Sequence, residues 1–191
     1  MRRRTFLQAG LAGAALAAAD TATRAQSKED SSEETPMKIV IAADPFAVDL
    51  KDAVVAHLKE KGHTVFDVGA TKDKELAYYD CAPTAAQAIQ DGKANRGILF
   101  CGTGAGMAIV ANKFKGVNAV CVESLFAARM ARAINDANVL TMGAMIVAPW
   151  MAKEMVDTWL ETKHTEGLDQ FAGFLKGALK KVDDINQAQC K

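Results

Sequence analysis

The chain has no net charge: lysine and arginine together number 23, as do aspartate and glutamate. That balance removes the global electrostatic case for a nucleic acid or anionic membrane partner. Aromatic residues are scarce at 6%, while alanine is abundant, a mix that suits helices packed closely on a sheet. Histidine is scarcer still, with three in 191 residues. His57 falls on a helix face, His63 between helix and strand, and His164 in a late loop, so a histidine-assisted nucleophile or a zinc site has little support. The four cysteines, Cys81, Cys101, Cys121 and Cys190, form no Cys-x-x-Cys pair of the kind that marks a metal or redox centre. Free thiols are expected. No apolar run approaches the ~20 residues of a comfortable membrane span.

What is present begins with "MRRRTFLQAGLAGAALAAADTATRAQS". Three arginines precede a short Ala/Gly/Leu-rich run, and Thr23-Arg24-Ala25 gives a small-x-small cleavage pattern, the layout of a signal peptide over residues 1–25. Arg3-Arg4-Thr5-Phe6-Leu7 resembles a twin-arginine signal; an ordinary secretory signal or an uncleaved anchor is the alternative. Export to the periplasm or beyond, without stable membrane insertion, is the expectation. Residues 26–36, "QSKEDSSEETP", are polar, acidic and unable to bury anything, which predicts a disordered linker. With half of the chain hydrophobic, one domain with a sizeable core follows from about Met37.

From there strands and helices alternate. Apolar runs at 37–44, 64–69, 96–102, 117–123 and 139–147 read as strands. Amphipathic or alanine-rich segments at 50–62, 81–92, 105–113, 125–135, 149–162 and 168–185 read as helices. "DKELAYYD" between them reads as irregular. The strands are continuously apolar rather than alternating, as in sheets covered on both faces. The pattern predicts a three-layer α/β/α sandwich with a five-stranded parallel, Rossmann-like sheet. Ligands of such sheets bind beyond the carboxyl ends of the strands. That rule nominates Asp44, Cys101-Gly102-Thr103 and Glu123, with Tyr78-Tyr79-Asp80 as a lip.

"ILFCGTGAGMAIVANK", residues 98 to 113, holds the most chemistry. Gly102-x-Gly104-x-Gly106 follows a strand and opens a helix, with Glu123 some twenty residues on. A dinucleotide site wants G-x-G-x-x-G on the first strand, so that reading is disfavoured; no Walker lysine follows either. The glycines do leave backbone N–H groups able to hold an anion or a developing oxyanion, with Thr103 adding a hydroxyl. They equally suit a tight turn and nothing more. Cys101 has two readings of equal standing here, a base for a carbon acid and a packed core thiol.

"MKIVIAAD", "VFDVG", "YYD", "GILFCGTGAGM", "ANK", "NDANVL" and "VDTWL" together resemble the ribose-5-phosphate isomerase type B and galactose-6-phosphate isomerase family over about residues 37–165. The resemblance implies an aldose–ketose isomerase that works through an enediolate without metal or organic cofactor. It also implies a homodimer whose active sites lie between subunits. Cys101 then matches the base. Thr103, Gly104 and Gly106 match the groups that hold the enediolate beside Gly102, and Asp44, Tyr78 and Asn135 match positions that contact substrate.

The chain departs from the family's pattern where it meets phosphate and opens the sugar ring. Pro45 stands where a histidine follows the aspartate, Ile134 where a histidine assists ring opening, and Met145 where an arginine follows Gly-Ala. Leu168 and Ala172 stand where two arginines bind phosphate. Arg129 and Arg132 are not at those positions. Several charge-assisted contacts, each worth roughly 1.5–3 kcal/mol, are therefore absent, and an exported enzyme meets few sugar phosphates. The expectation is an isomerase on a non-phosphorylated sugar. The alternatives are a non-catalytic sugar-binding protein on the same scaffold and, third, an oxidoreductase with a dinucleotide at the glycine turn.

Overall fold

The computed structural model describes residues 35–189. The segment expected to be a signal peptide, nearly all of the expected linker and Cys190 lie outside the described residues.

Five strands form one parallel sheet. They are β1 (Lys38–Ala43), β2 (Thr64–Asp67), β3 (Arg96–Cys101), β4 (Ala119–Cys121) and β5 (Val139–Gly143), in the order β2-β1-β3-β5-β4. The three inner strands, KIVIAA, RGILFC and VLTMG, are buried almost end to end. Parallel strands covered on both faces require that continuous apolarity. Side-chain alternation divides the core in two. Ile39 and Ile41 face helices α1 (Val48–Glu60), α4 (Leu125–Ala133) and α5 (Pro149–Glu161). Val40 and Ala42 face α2 (Tyr78–Gln90) and α3 (Ala105–Ala111). On the second side the buried helix residues include Ala82, Ala85 and Ala86, whose small side chains bring α2 close to the sheet. On the first side the larger Met155 and Trp159 fill the layer, and the Trp159 indole donates to the Ala137 carbonyl at 3.2 Å.

Two polar links tie α1 in place. Buried Lys51 pairs with Asp67 at the end of β2 and with Asp52 at 3.2 Å. The His57 Nε2 lies 2.9 Å from both carboxylate oxygens of Asp157 on α5, with Lys61 on the same carboxylate at 3.0 Å.

Helix α2 starts at Tyr78, about a turn earlier than the sequence suggests. Ala77 at its N-cap makes no side-chain cap bond, so no capping residue announces the start. Pro83 consequently sits at the sixth helical position rather than the first turn, where its missing N–H leaves Tyr79 without the usual i→i−4 partner. A 3-10 turn at Asp169–Phe171 leads into α6 (Ala172–Gln189). Only Leu175 of α6 is buried, while Phe174, Val182 and Ile185 are exposed. No helix among the described residues is long and apolar enough to cross a membrane.

The strand order runs outward from β1 in one direction and from β3 in the other. The reversal opens a crevice at the carboxyl ends of these two strands, the usual ligand position in doubly wound sheets. Asp44 follows β1 and Cys101 ends β3, so both stand at that crevice.

Candidate active site

The crevice is fixed by backbone before any side chain enters it. The Asp44 amide donates to the Phe100 carbonyl at 3.1 Å, extending the β1–β3 ladder to the rim. The Asp44 carboxylate is 6% exposed and accepts the Phe46 N–H at 3.0 Å. Burial raises its carboxyl above the usual carboxylate range, and the Phe46 bond opposes that rise.

Cys101 is 5% exposed, and its sulfur accepts the Gly104 N–H at 3.0 Å. The turn that supplies this amide is held from behind, one carbonyl after another. Ala144 N–H reaches the Cys101 carbonyl at 2.9 Å and Met145 N–H the Gly102 carbonyl at 3.0 Å. The Cys121 thiol donates to the Thr103 carbonyl at 3.5 Å, and the Thr141 hydroxyl to the Gly104 carbonyl at 2.9 Å. In a trans peptide the C=O and the following N–H point in opposite directions. Four carbonyls drawn toward β5 and β4 therefore turn the amides of Gly102, Thr103, Gly104 and Ala105 the other way. The first amides of α3 also have no partner within their helix.

Gly104 has φ +82°, and a Cβ there would lie 2.8 Å from the Met142 carbonyl carbon and 2.9 Å from the Cys121 sulfur. Two side chains bracket the turn. The Tyr78 ring comes to 3.0 Å of where a Gly106 Cβ would be, and the Met145 methyl to 3.3 Å of the same point on Gly102. Tyr79 meets Tyr78 edge-on, with centroids 5.2 Å apart. Thr103 itself is exposed at the rim.

Asp44, Tyr78, Cys101, Gly102, Thr103, Gly104 and Gly106 are thus gathered at one end of the sheet. Asn135 is not. It follows α4, three residues before Asn138, whose carbonyl accepts from Gly97 at the start of β3. Helix α4 runs back along the sheet, so Asn135 lies at the amino ends of the strands, a full strand length from Cys101. Exposed Ile134 is beside it. Neither arginine of α4 serves the crevice. Arg132 is buried on the Ala137 carbonyl at 3.0 Å and the Asp136 carboxylate at 2.7 Å, and Arg129 faces Glu166 at 4.0 Å. Met145 is 68% exposed, and Leu168 and Ala172 are half-buried at the approach to α6.

Cys81, Cys101 and Cys121 are free thiols. Cys101 and Cys121 lie on strands separated by β5, so their Cα atoms are about 10 Å apart, beyond disulfide reach. Burial pushes the Cys121 thiol up, with the Thr141 hydroxyl pulling the other way. Cys81, packed under Asp44 with its thiol 3.5 Å from the Ala43 carbonyl, is pushed from 9.0 to about 11, first by burial and further by the Asp44 charge. Between those values the unfolded thiol gives up its proton while the folded one keeps it, so stability falls as pH rises through that window. The loss is at most about 2–3 kcal/mol. Urea melts at pH 8 and 10.5 are expected to show a larger alkaline loss for the native chain than for Cys81→Ala.

The sequence pointed to Cys101 and the glycines, but not to Cys121, Thr141 or Gly143 behind them. No motif marks these three; the strand register alone brings them to the turn. Among the described residues no cluster of three or more His, Cys, Asp or Glu is placed to hold a metal ion.

Comparison with known proteins agrees with this architecture. A 4-deoxy-4-sulfo-D-erythrose isomerase of Clostridium sp. (strain MSTE9) is 50% identical over 155 residues, 80% of this chain and 97% of that one. A D-erythrulose-4-phosphate isomerase of Pectobacterium atrosepticum is 43% identical over 150 residues, 78% of this chain and 93% of that one. The solved structure of Clostridium thermocellum ribose-5-phosphate isomerase B superposes with a TM-score of 0.73 at 34% identity, covering 80% of this chain and 99% of that one. Residues 39–171 match the family described as Ribose/Galactose Isomerase, and the chain belongs to that family.

Proposed function

We propose that this protein is an aldose–ketose isomerase acting on a short sugar that carries no phosphate. The observation that carries the reading is the Cys101 sulfur at the sheet's crevice, met at 3.0 Å by the Gly104 N–H of a turn whose amides face the same way. Cys101 as thiolate removes the proton from the carbon beside the substrate carbonyl. The electron pair moves onto the carbonyl oxygen, and the amides and hydroxyl of Thr103–Gly106 hold the resulting enediolate. The same proton, or one from solvent, returns to the neighbouring carbon. Asp44 and Tyr78 orient the hydroxyls. No organic cofactor has a role in this sequence of steps.

The substrate class follows from what the rim lacks. Pro45 and Met145 bring no cation to it, and Ile134, Leu168 and Ala172 would bring none if contributed by a second copy, which suits a neutral or singly charged terminus better than a phosphate dianion. By their names the two relatives above act on four-carbon sugars, one a sulfonate and the other a phosphate; a sulfonate carries one charge, and the missing cations favour it over the phosphate. A four-carbon sugar with a sulfonate or hydroxyl at C4 fits both considerations. Incubation with 4-deoxy-4-sulfoerythrose, erythrose, erythrose 4-phosphate and ribose 5-phosphate is expected to give ketose from the first two at least tenfold faster than from the phosphates. Faster turnover of either phosphate overturns the substrate assignment.

Asn135, at the far end of the sheet, reaches a Cys101 crevice only if it is contributed by a second copy. A homodimer with shared sites is therefore part of the proposal, as is export through the twin-arginine-type N-terminus. A second reading, a sugar-binding protein without turnover, is favoured by one observation for sugars that cyclise: Ile134 supplies no acid to open a sugar ring, an acid that a four-carbon sugar with a C4 sulfonate does not need. It predicts ligand-induced thermal stabilisation with no ketose formed.

A further inference from the structure

Four successive carbonyls, from Cys101 to Gly104, are held from the β5–β4 side, and two of the four anchors are backbone amides that any sequence would supply. The other two are side chains. Thr141 is fully buried in the middle of β5 and its hydroxyl donates to the Gly104 carbonyl at 2.9 Å. Cys121, at the end of β4, donates to the Thr103 carbonyl at 3.5 Å. Register explains why these two act together: Cys121 and Thr141 are direct partners across the β4–β5 ladder. Their side chains rise on the same face and meet the turn from below.

The peptide joining Thr103 to Gly104 carries on one side the carbonyl that Cys121 holds and on the other the N–H that meets the Cys101 sulfur at 3.0 Å. The next peptide carries the carbonyl that Thr141 holds, and its N–H is the first amide of α3. Rotating either plane by a few tens of degrees moves an N–H off its target. With φ +82° at Gly104, the backbone lacks the side-chain sterics that would otherwise oppose that rotation. The first turn of α3 fixes part of it, since the Gly104 carbonyl also accepts the Ala108 N–H at 3.2 Å; the rest has to come from the β4–β5 side.

We infer that Thr141 is a positioning residue of the active site, with Cys121 as its second: their bonds to the Gly104 and Thr103 carbonyls aim the amides that serve Cys101 and the substrate oxyanion. Thr141 is sealed from solvent and touches no substrate, so it acts wholly through the turn. The kinetic part of the test rests on the isomerase reading above; the chemical part does not.

The test compares Thr141→Val, which keeps the shape and removes the hydroxyl, with Thr141→Ser, which keeps the hydroxyl. In the full chain, Thr141→Val is expected to lower kcat roughly 10–100-fold with KM changed less than threefold, short of the 10²–10³ for deleting an oxyanion donor outright. Thr141→Ser is expected to recover most of that loss. Independently of any sugar, alkylation of Cys101 by iodoacetamide at pH 7.5, read on its own peptide by mass spectrometry, is expected to slow several-fold in Thr141→Val and much less in Thr141→Ser. If Thr141→Val does not fold, Cys121→Ala carries the same two measurements at the neighbouring carbonyl, with a smaller loss of two- to fivefold expected in each. Native-like alkylation and turnover in the variant lacking the bond overturn the inference, as does an equal loss in valine and serine variants. Slowed alkylation in a chain that turns over no sugar supports the positioning role and counts against the isomerase reading alone.

Discussion

Replacing Cys101 by serine is expected to lower kcat by about 10²–10⁴-fold, the range that a positioned general base contributes. KM is expected to stay within a few-fold of the native value, because serine keeps the shape and still accepts the Gly104 N–H. The hydroxyl is a far weaker acid than the thiol, so almost none of it is ionised near neutral pH. The buried Asp44 carboxylate, whose affinity for protons burial has raised, is a second group able to take a proton beside Cys101 at the same end of the sheet. Asp44→Asn is therefore the necessary partner variant. A loss in kcat that is larger for Asp44→Asn than for Cys101→Ser moves the base to Asp44. Thermal melts of both variants separate a chemical loss from a folding one, since an exchange of SH for OH at a nearly sealed position leaves the packing volume almost unchanged.

Gly143→Ala is expected to cost about 3–5 kcal/mol of stability, among the largest effects of a single substitution, and to remove activity in whatever fraction still folds. Gly143 ends β5 opposite Cys101. A Cβ on it would lie 2.6 Å from both the Thr103 Cα and carbonyl carbon and 2.8 Å from the Gly102 carbonyl oxygen. These are backbone atoms of the turn, which cannot swing aside as a flexible side chain can. Either β5 retreats and breaks the Ala144 and Met145 bonds to the turn, or the turn moves off Cys101. Both routes damage the same site, so stability and activity fall together. Gly173, which has nothing within 4 Å of its Cβ position, is the control: Gly173→Ala on α6 leaves both near native values. A Gly143→Ala protein with native stability would show that the strand end has slack that the packing does not suggest.

The sheet was legible because its inner strands, residues 38–43, 96–101 and 139–143, are short apolar runs bounded by turn residues. Their type does not depend on distant contacts. Edge strand β4 is only three residues long, less than half of the apolar run at 117–123; it pairs with residues 139–141 and leaves β5 two residues before that strand ends. The start of α2 was obscured by Pro83 and by an uncapped Ala77. At the site, Cys101 and the three glycines stand within six residues of one another, so the local pattern exposed them. Thr141 and Gly143 meet the turn only through the β3–β5 register, and Cys121 only through β4–β5; no spacing along the chain encodes either. Asn135 shows the same limit in reverse. Its resemblance placed it with Cys101, and one chain holds the two at opposite ends of the sheet.

The account turns on one chemical event, removal of a proton from the carbon beside a sugar carbonyl by Cys101. Its most direct measurement is proton NMR of 4-deoxy-4-sulfoerythrose incubated with the full chain in deuterated buffer. The account predicts deuterium at the carbon adjacent to the carbonyl and conversion to the ketose with the native protein, and neither with Cys101→Ala. Sugar that binds but keeps all its protons, or exchange that persists in Cys101→Ala, would contradict it.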